Sequence, residues 1–158
     1  MTSNKIKSLA DATLQVKNWQ AAGQKVVFTN GCFDLLHLGH VDYLENARNL
    51  GDHLVIGLNS DSSVSRFKGP ERPLQDHNSR ARVLAALQFV DLVVLFNEDT
   101  PFELISQLQP NVLVKGSDYL AENIVGADVV KKNGGVVKTI DFVPGYSTTR
   151  IVEKIKRT

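Results

Sequence analysis

Short apolar runs alternate with amphipathic segments along most of the chain. Five runs rich in valine, leucine and isoleucine predict strands, at residues 25–29, 53–59, 91–96, 111–115 and 136–142. Continuous apolar runs of this length are typical of parallel strands that are covered on both faces. The pattern therefore predicts a buried parallel sheet.

The segments between these runs have the spacing of amphipathic helices. Apolar residues at Val41, Leu44, Ala47 and Leu50 recur every three residues, and those at Val83, Leu84 and Leu87 also share one helix face. Val129 and Val130 follow helical spacing less cleanly. Thr100-Pro-Phe-Glu103 has the cap, first-turn proline and glutamate of a capping box. Residues 6–21 predict one more helix before the first strand.

This alternation of strands and helices predicts an α/β fold. We expect a Rossmann-like, doubly wound parallel sheet of about five strands with helices on both faces, plus an N-terminal helix. Residues 1–158 lack a low-complexity linker or an internal repeat, which predicts a single domain. Within it, residues 1–23 are predicted as a helical extension and residues 24–158 as the core of the domain.

Composition and charge narrow the class of protein. The content of 42% apolar and 22% charged residues is ordinary for a globular chain, and a net charge of +1 gives no reason to expect nucleic acid or a membrane as partner. The single cysteine, Cys32, excludes an intrachain disulfide. No apolar stretch approaches the ~18 residues of a membrane span and the N-terminus lacks a secretory apolar region, so a cytoplasmic location is predicted.

The segment Gly31-Cys-Phe-Asp-Leu-Leu-His-Leu-Gly-His40 lies between the first predicted strand and a helix. A strand that runs through a glycine turn into a helix N-terminus presents backbone N–H groups and a positive dipole end to an anion. Neither a G-x-x-x-x-G-K-[ST] loop nor a G-x-G-x-x-G fingerprint occurs. A phosphate site of another kind is therefore predicted.

Two histidines within this segment indicate chemistry on the phosphate. Gly39 would let the backbone approach a phosphate closely, while His37 and His40 each offer an imidazole N–H to its oxygens. Such donors suit nucleotidyl transfer, in which an acceptor attacks the α-phosphate of a nucleoside triphosphate and charge builds on the equatorial oxygens. An acceptor that is a phosphate monoester is largely ionised at neutral pH, so no general base is needed.

Other uses of these residues remain open. A zinc site could use Asp34, His37 and His40, although a second cysteine and the H-E-x-x-H pattern are absent. Cys32 fits a small packed residue facing the phosphate loop better than a nucleophile. His53 and His77 are predicted to be structural.

The segment from Thr29 to His40 resembles the signature of the cytidylyltransferase-like nucleotidyltransferase superfamily. Further segments, at residues 68–73, 97–101, 114–119 and 145–149, are together similar to those of the D-glycero-β-D-manno-heptose 1-phosphate adenylyltransferases, or ADP-heptose synthases. The similarity runs from about residue 25 to about residue 155. In many bacteria a sugar kinase precedes this domain, and the chain resembles the form of the enzyme without that kinase.

The resemblance implies roles for the residues around the phosphates. His37, His40 and Lys68 are the implied catalytic residues, and the backbone groups of Asn30, Gly31, Cys32, Phe33 and Gly39 would line the nucleotide phosphates. Asp34 would face the sugar phosphate, and Arg80 would hold phosphate or a nearby carboxylate. A solvated loop lysine remains the alternative for Lys68.

The resemblance also implies a place for the nucleoside. Lys115, Gly116 and Asp118 would surround the base and ribose, with Asp118 accepting from the ribose or helping to hold magnesium. Ser147, Thr148 and Thr149 would offer hydroxyl and N–H groups to the β- and γ-phosphates. An ordinary helix N-cap is the alternative for this triplet.

The implied reaction transfers AMP from ATP to D-glycero-β-D-manno-heptose 1-phosphate and releases pyrophosphate. Its implied partners are ATP and the sugar 1-phosphate, with Mg²⁺ accompanying ATP, no dedicated metal site in the protein, and a homodimer as the assembly. Ser117 stands where the family commonly has a glycine. One alternative is a CTP-dependent transferase that acts on glycerol 3-phosphate or another phosphorylated polyol. The absence of an arginine shortly before Ser147 disfavours this hypothesis. The other alternative is a nucleotide-binding module without turnover.

Overall fold

The computed structural model describes all 158 residues, which form a six-stranded parallel sheet. The strands are β1 (Ile6–Lys7), β2 (Val26–Gly31), β3 (His53–Asn59), β4 (Leu92–Phe96), β5 (Val112–Gly116) and β6 (Val136–Ile140), in the spatial order β1-β4-β3-β2-β5-β6. Every pair of neighbouring strands is parallel. The predicted α/β class and parallel sheet are confirmed, with one strand more than predicted.

Seven α-helices connect and cover the strands. They are α1 (Leu9–Ala21), α2 (Leu38–Arg48), α3 (Asp61–Lys68), α4 (His77–Ala86), α5 (Phe102–Leu108), α6 (Ala127–Lys132) and α7 (Thr148–Lys156). Short 3₁₀ turns lie at Thr2–Lys5 and Ala121–Asn123. No helix of this structure combines the length and the apolar character needed to cross a membrane.

Alternate side chains of the central strands feed two separate cores. Val26 and Phe28 of β2 pack on the face covered by α1, α5 and α6, whereas Val27 packs on the face covered by α2 and α4. This alternation follows from the two-residue period of a strand. Because each strand is buried on both faces, its sequence reads as a continuous apolar run.

The chain reverses its direction of travel across the sheet between β2 and β5. From β2 it proceeds through β3 to β4 on one side, and it then returns to form β5 and β6 on the other side. A crevice opens outside the carboxyl ends of the strands at such a switch point. The segment after β2 that carries the two histidines lies at this point.

The N-terminus differs from the predicted helix over residues 6–21. The helix begins at Leu9, where the Ser8 hydroxyl accepts a hydrogen bond from the N–H of Asp11. Ile6 and Lys7 instead pair with Val93 and Val94 at the edge of the sheet. Because α1 also buries Ala12 and Val16 in the core, the predicted N-terminal extension is an integral part of the fold.

Two further local predictions are corrected. Lys68, for which a loop lysine was the alternative, is the last residue of α3, a helix that the apolar pattern did not reveal. The capping box predicts that Thr100 caps the helix that follows β4. In the structure this helix is α5, which has Pro101 at its N-cap position and no side-chain hydrogen bond there. In the predicted helix around residue 84, Leu84 is buried, whereas Val83 is 42% exposed.

Candidate active site

A cavity of about 180 Å³ lies at the carboxyl ends of β2 and β5. Eleven of the residues selected from the sequence line it together, namely Asn30, Gly31, Cys32, Phe33, Asp34, His40, Lys68, Lys115, Gly116, Asp118 and Thr148. These residues come from segments that are far apart in sequence. The fold therefore brings most of the predicted site residues to one place.

The two histidines lie at the start of α2. His37 occupies the N-cap position with an extended backbone, and His40 lies within the first turn of the helix. Their imidazole rings stack with centroids 3.9 Å apart. The Nδ1 atoms of both rings are buried and have no hydrogen-bond partner in the protein. Nδ1 of His53 shares this state away from the cavity, so of these atoms only that of His40, which lines the cavity, is placed to receive a partner from a ligand there.

Gly39 has a different local role from the one predicted. A Cβ atom at this position would lie 3.0 Å from Cε1 and Nδ1 of the His37 ring. Contacts this short are rare, so the missing side chain makes room for the His37 imidazole. Gly39 does not line the cavity, and its close approach is to a histidine rather than to the phosphate.

Burial keeps both imidazoles in the neutral form. Desolvation lowers the pKa of His37, and it lowers the pKa of His40 to about 4. Repulsion by Lys68, and by His37 when that ring is protonated, lowers the pKa of His40 further, whereas a backbone hydrogen bond with Leu35 opposes the shift. Neutral imidazoles carry one N–H donor each. At neutral pH the pair therefore offers hydrogen-bond donors rather than two fixed cations.

Two lysines supply the positive charge of the cavity. Lys68 is exposed at the end of α3, and Lys115 is partly buried on β5, where its Nζ lies 3.5 Å from the Asn30 carbonyl oxygen. The Lys115 ammonium also lies 5.4 Å from the centroid of the Tyr119 ring, within cation–π range. Desolvation lowers the pKa of Lys115, while the carboxylate of Asp118 opposes this shift.

Asp34 uses its carboxylate to hold a neighbouring segment of the chain. It accepts hydrogen bonds from the backbone N–H groups of Leu74 at 2.8 Å and Gln75 at 2.9 Å, and it lies 3.5 Å from the Arg72 guanidinium. The side chain is only 6% exposed. This carboxylate fixes the segment that follows Lys68, and because Asp34 also lines the cavity, its contact with a sugar phosphate stays a prediction.

Arg80 is also a positioning residue rather than a substrate ligand. Its side chain has no exposed surface, and Nη1 donates to the carbonyl oxygens of Cys32 at 2.7 Å and Asn59 at 2.8 Å. Nε donates to the Gln75 carbonyl oxygen at 2.9 Å. Nη2 pairs with the Asp61 carboxylate at 2.7 Å. The predicted phosphate contact is corrected, and the alternative contact with a carboxylate is the one present.

The hydroxyl triplet before α7 divides into three roles. Ser147 caps the helix, because its Oγ accepts a hydrogen bond from the N–H of Arg150. Thr148 lines the cavity, and its hydroxyl donates to the Leu35 carbonyl oxygen at 3.1 Å. Thr149 is exposed and lies outside the cavity. The N-cap alternative therefore applies to Ser147, and only Thr148 faces the site.

Cys32 and the two structural histidines behave as simple packed residues. The Cys32 thiol is buried, and desolvation raises its pKa, which disfavours the nucleophilic thiolate. His53 stacks on Trp19 with ring centroids 3.8 Å apart, and His77 lies 3.1 Å from the Asp61 carboxylate. Neither histidine lines the cavity.

Three aromatic residues in the cavity were missing from the predicted site. Tyr43, Tyr119 and Phe142 line it, and the hydroxyl of Tyr43 is hydrogen-bonded to that of Thr29 at 2.8 Å. The Phe142 ring lies against Gly116, where a Cβ atom would come within 2.2 Å of it. Phe142 is the last residue of the strand predicted at 136–142 and lies beyond β6, which ends at Ile140, whereas the sequence around Tyr43 indicates only an ordinary helix residue.

The donor set fits a metal that arrives with a nucleotide. No group of three or more His, Cys, Asp or Glu side chains is arranged to hold a metal ion, which also removes the geometric basis for a zinc site. Mg²⁺ commonly takes one or two carboxylates together with phosphate oxygens and water. Since Asp34 is engaged elsewhere, Asp118 is the cavity carboxylate suited to that role.

Comparison with known proteins assigns this chain to one family. Residues 28–154 match the family model described as cytidylyltransferase-like. The chain is 61% identical over 153 residues to the bifunctional protein HldE of Magnetococcus marinus, and 58% identical over 152 residues to the protein of that name from Geotalea uraniireducens. These alignments cover 97% and 96% of this chain, respectively, and 31% of each relative. The chain thus spans about a third of the length of the curated relatives it matches.

Solved structures agree with this assignment. The lipopolysaccharide core biosynthesis protein from Thermoplasma volcanium is 31% identical and superposes with a TM-score of 0.61, over 77% of this chain and 98% of that one. Pantothenate synthetase from Thermus thermophilus superposes with a TM-score of 0.63 at 17% identity, over 97% of this chain and 70% of that one. The second similarity concerns the fold alone.

Proposed function

This chain belongs to the cytidylyltransferase-like family and is a nucleotidyltransferase, and we propose that it transfers AMP from ATP to D-glycero-β-D-manno-heptose 1-phosphate. The products would be the ADP-activated heptose and pyrophosphate. The similarity to HldE proteins, together with the motifs that resemble heptose 1-phosphate adenylyltransferases, supports the choice of nucleotide and acceptor. The lipopolysaccharide core biosynthesis protein among the solved structures supports the same pathway.

One observation carries the proposed reaction. His40, Lys68 and Lys115 meet at a single cavity beside the N-terminus of α2. Backbone N–H groups at a helix start, imidazole donors and ammonium groups are the donors that a polyphosphate requires. The imidazole of His40 lines this cavity, and its Nδ1 is buried without a hydrogen-bond partner in the protein, which supports a contact with a ligand there.

The proposed chemistry is an in-line displacement at the α-phosphorus of ATP. An ionised oxygen of the sugar phosphate forms the new bond to the α-phosphorus, and the bond to the bridging oxygen of the β-phosphate breaks. Pyrophosphate leaves with the electron pair. Because the acceptor phosphate has a second pKa near ~6, it attacks without a general base.

The protein residues would act by holding and stabilising charge. His37 and His40 would donate N–H groups to oxygens on which charge develops, and Lys68 would bridge the nucleotide and acceptor phosphates. Lys115 would hold the nucleotide on the β5 side of the cavity. Magnesium would enter with ATP and neutralise part of the triphosphate charge, and Asp118 would be the cavity carboxylate that helps to hold it.

Pyrophosphate release tests this proposal. The assay compares ATP and CTP, each with magnesium, against the heptose 1-phosphate, glycerol 3-phosphate and a hexose 1-phosphate. Turnover confined to ATP with the heptose 1-phosphate is expected. Turnover with CTP or with another acceptor would assign a different substrate pair, and ATP binding without turnover on any acceptor would favour a binding module. The cytoplasmic location and the homodimer stay predictions.

A further inference from the structure

A second cavity, of about 500 Å³, adjoins the first and has no role in the proposal above. The two cavities share the segment from Asn30 to Cys32 and the side chains of Lys68 and Lys115. The remaining wall of the second cavity includes Asp99, Thr100 and Asn123. Asp99 and Thr100 belong to the segment 97–101, which the sequence singled out but to which no function was assigned.

The two cavities overlap at the end of β2 and on the β5 side, where both include Lys115, Tyr119 and Phe142. The first cavity alone contains His40 and Thr148. The second cavity alone reaches Asn59 at the end of β3, the segment that follows β4 and residues 123–125. The shared strip at the end of β2 is therefore the place where two ligands, one in each cavity, would bring their phosphates together.

The first cavity has the features expected of a site that binds the triphosphate of the nucleotide. It is bordered by α2, whose first turn carries His40, and by α7, whose first residue is Thr148. Both helix N-termini present unpaired backbone N–H groups and a positive dipole end. Neither His40 nor Thr148 lines the second cavity. The second cavity is thus left for the other substrate.

The outer wall of the second cavity has the chemistry of a carbohydrate site. The Asp99 side chain is 85% exposed and its carboxylate is held by the Arg66 guanidinium at 3.0 Å, which fixes its direction while leaving acceptor capacity. Thr100 and Asn123 add a hydroxyl and an amide. The exposed apolar side chains of Phe67 and Val125 lie on the same wall and suit the C–H face of a sugar ring.

We propose, resting on the proposed function, that this second cavity binds the sugar of the acceptor. Asp99 accepts hydrogen bonds from sugar hydroxyls, and Thr100 and Asn123 complete the polar contacts. The sugar phosphate then points back to Lys68 and Lys115 in the shared strip. In this arrangement the segment 97–101 selects the acceptor, whereas the first cavity holds the nucleotide.

Binding and turnover are measured on Asp99→Ala and Asn123→Ala, with Glu122→Gln as the matched control. Glu122 is exposed, neighbours Asn123 in sequence and does not line the cavity. Calorimetric titration of the heptose 1-phosphate is performed with α,β-methylene ATP present, and titration of the ATP analogue alone reports the first cavity. We expect Asp99→Ala to weaken sugar phosphate binding about tenfold or more, with the affinity for the analogue unchanged.

The outcomes separate this inference from the proposed reaction. Unchanged sugar phosphate affinity in both cavity variants, or an equal loss of affinity for both ligands, would overturn the sugar site. Failure of the wild-type protein to bind the sugar phosphate would overturn it as well. If the wild type binds the sugar phosphate but releases no pyrophosphate from ATP, the proposed function fails, and the effect of Asp99→Ala on binding still decides the site.

Discussion

Nη1 of Arg80 donates a hydrogen bond to the Cys32 carbonyl oxygen at 2.7 Å, although 48 residues separate the two. This contact holds the segment after β2 against α4. The same guanidinium binds Asp61, the first residue of the helix that ends in Lys68. One buried arginine therefore sets the position of the phosphate segment relative to the helix that carries the exposed lysine.

Replacing Arg80 tests this arrangement. Arg80→Ala leaves buried carbonyl oxygens without a donor and removes a partner of Asp61, so we expect the free energy of unfolding to fall by about 3–5 kcal/mol. Urea denaturation measures the change. Arg82→Ala, an exposed neighbour on the same helix, is the control and should change stability by no more than about 0.5 kcal/mol. A similar loss in both variants would contradict the positioning role.

The second prediction concerns His40. His40→Ala removes an N–H donor aimed at the cavity, and we expect turnover to fall by about 10²–10³ while the protein stays folded. Steady-state kinetics of pyrophosphate release measure the effect, and circular dichroism checks the fold. His53→Gln, at a histidine that does not line the cavity, serves as the comparison and should retain most of the activity. A near-normal rate for His40→Ala would contradict the assigned role.

The buried imidazole of His40 predicts a dependence of stability on pH. Burial lowers the pKa of His40 from 6.5 to about 4, so the unfolded chain binds a proton at this residue at a pH where the folded chain does not. The contribution of neutral His40 is thus fully present above about pH 6.5 and declines as the pH falls toward 4. Urea denaturation across this range should show a smaller decline for His40→Gln than for the wild type. Identical slopes would refute the lowered pKa.

Gly116→Ala tests the contact between β5 and Phe142. The added Cβ would come within 2.2 Å of the Phe142 ring and 2.7 Å of the Asp118 carboxylate, so the ring must move. Because Phe142 is 51% exposed, it can shift without unfolding the protein. We expect ATP affinity to fall about tenfold as the cavity wall changes shape. Ser117→Ala, adjacent but outside the cavity, should bind ATP as the wild type does, and equal affinities in both variants would contradict the prediction.

Cys32→Ala distinguishes a packed thiol from a reactive one. Burial raises the pKa of the Cys32 thiol, so little thiolate is present at neutral pH. Since the predicted contacts of this residue use its backbone, we expect turnover to stay within about tenfold of the wild type. Pyrophosphate release and mass spectrometry after incubation with ATP supply the measurements. Loss of all turnover, or a covalent adduct on Cys32, would establish a nucleophile instead.

The sheet was largely predictable because burial on both faces leaves a local signature. The predicted strand at residues 53–59 matches β3, and the bounds of the other predicted strands differ from the structure by at most two residues. The strand at Ile6–Lys7 left no such signature, because two residues form a strand only when the edge of β4 supplies their partners. The helix α3 was also missed, since its exposed polar face outweighs the buried Ser63 and Val64.

The site shows the same division between local and long-range information. Histidines three residues apart after a strand and a glycine turn indicate phosphate chemistry from sequence alone, because helix geometry and donor chemistry are local properties. The roles of Asp34 and Arg80 could not be obtained in this way. A charged side chain looks the same in sequence whether it faces a ligand or pairs inside the protein, and its partners here are 40 and 48 residues away.

The sequence by itself determined the parallel α/β core, the phosphate segment and the residues that resemble a nucleotidyltransferase family, since each depends on periodicity or on a short ordered motif. Only the tertiary structure decided which of those residues line the cavity. It engaged Asp34 and Arg80 in hydrogen bonds within the protein, assigned Ser147 to a helix cap, and opened the second cavity beside Asp99. The physical reason is that burial and hydrogen-bond partners are set by packing between distant segments, which no local pattern records.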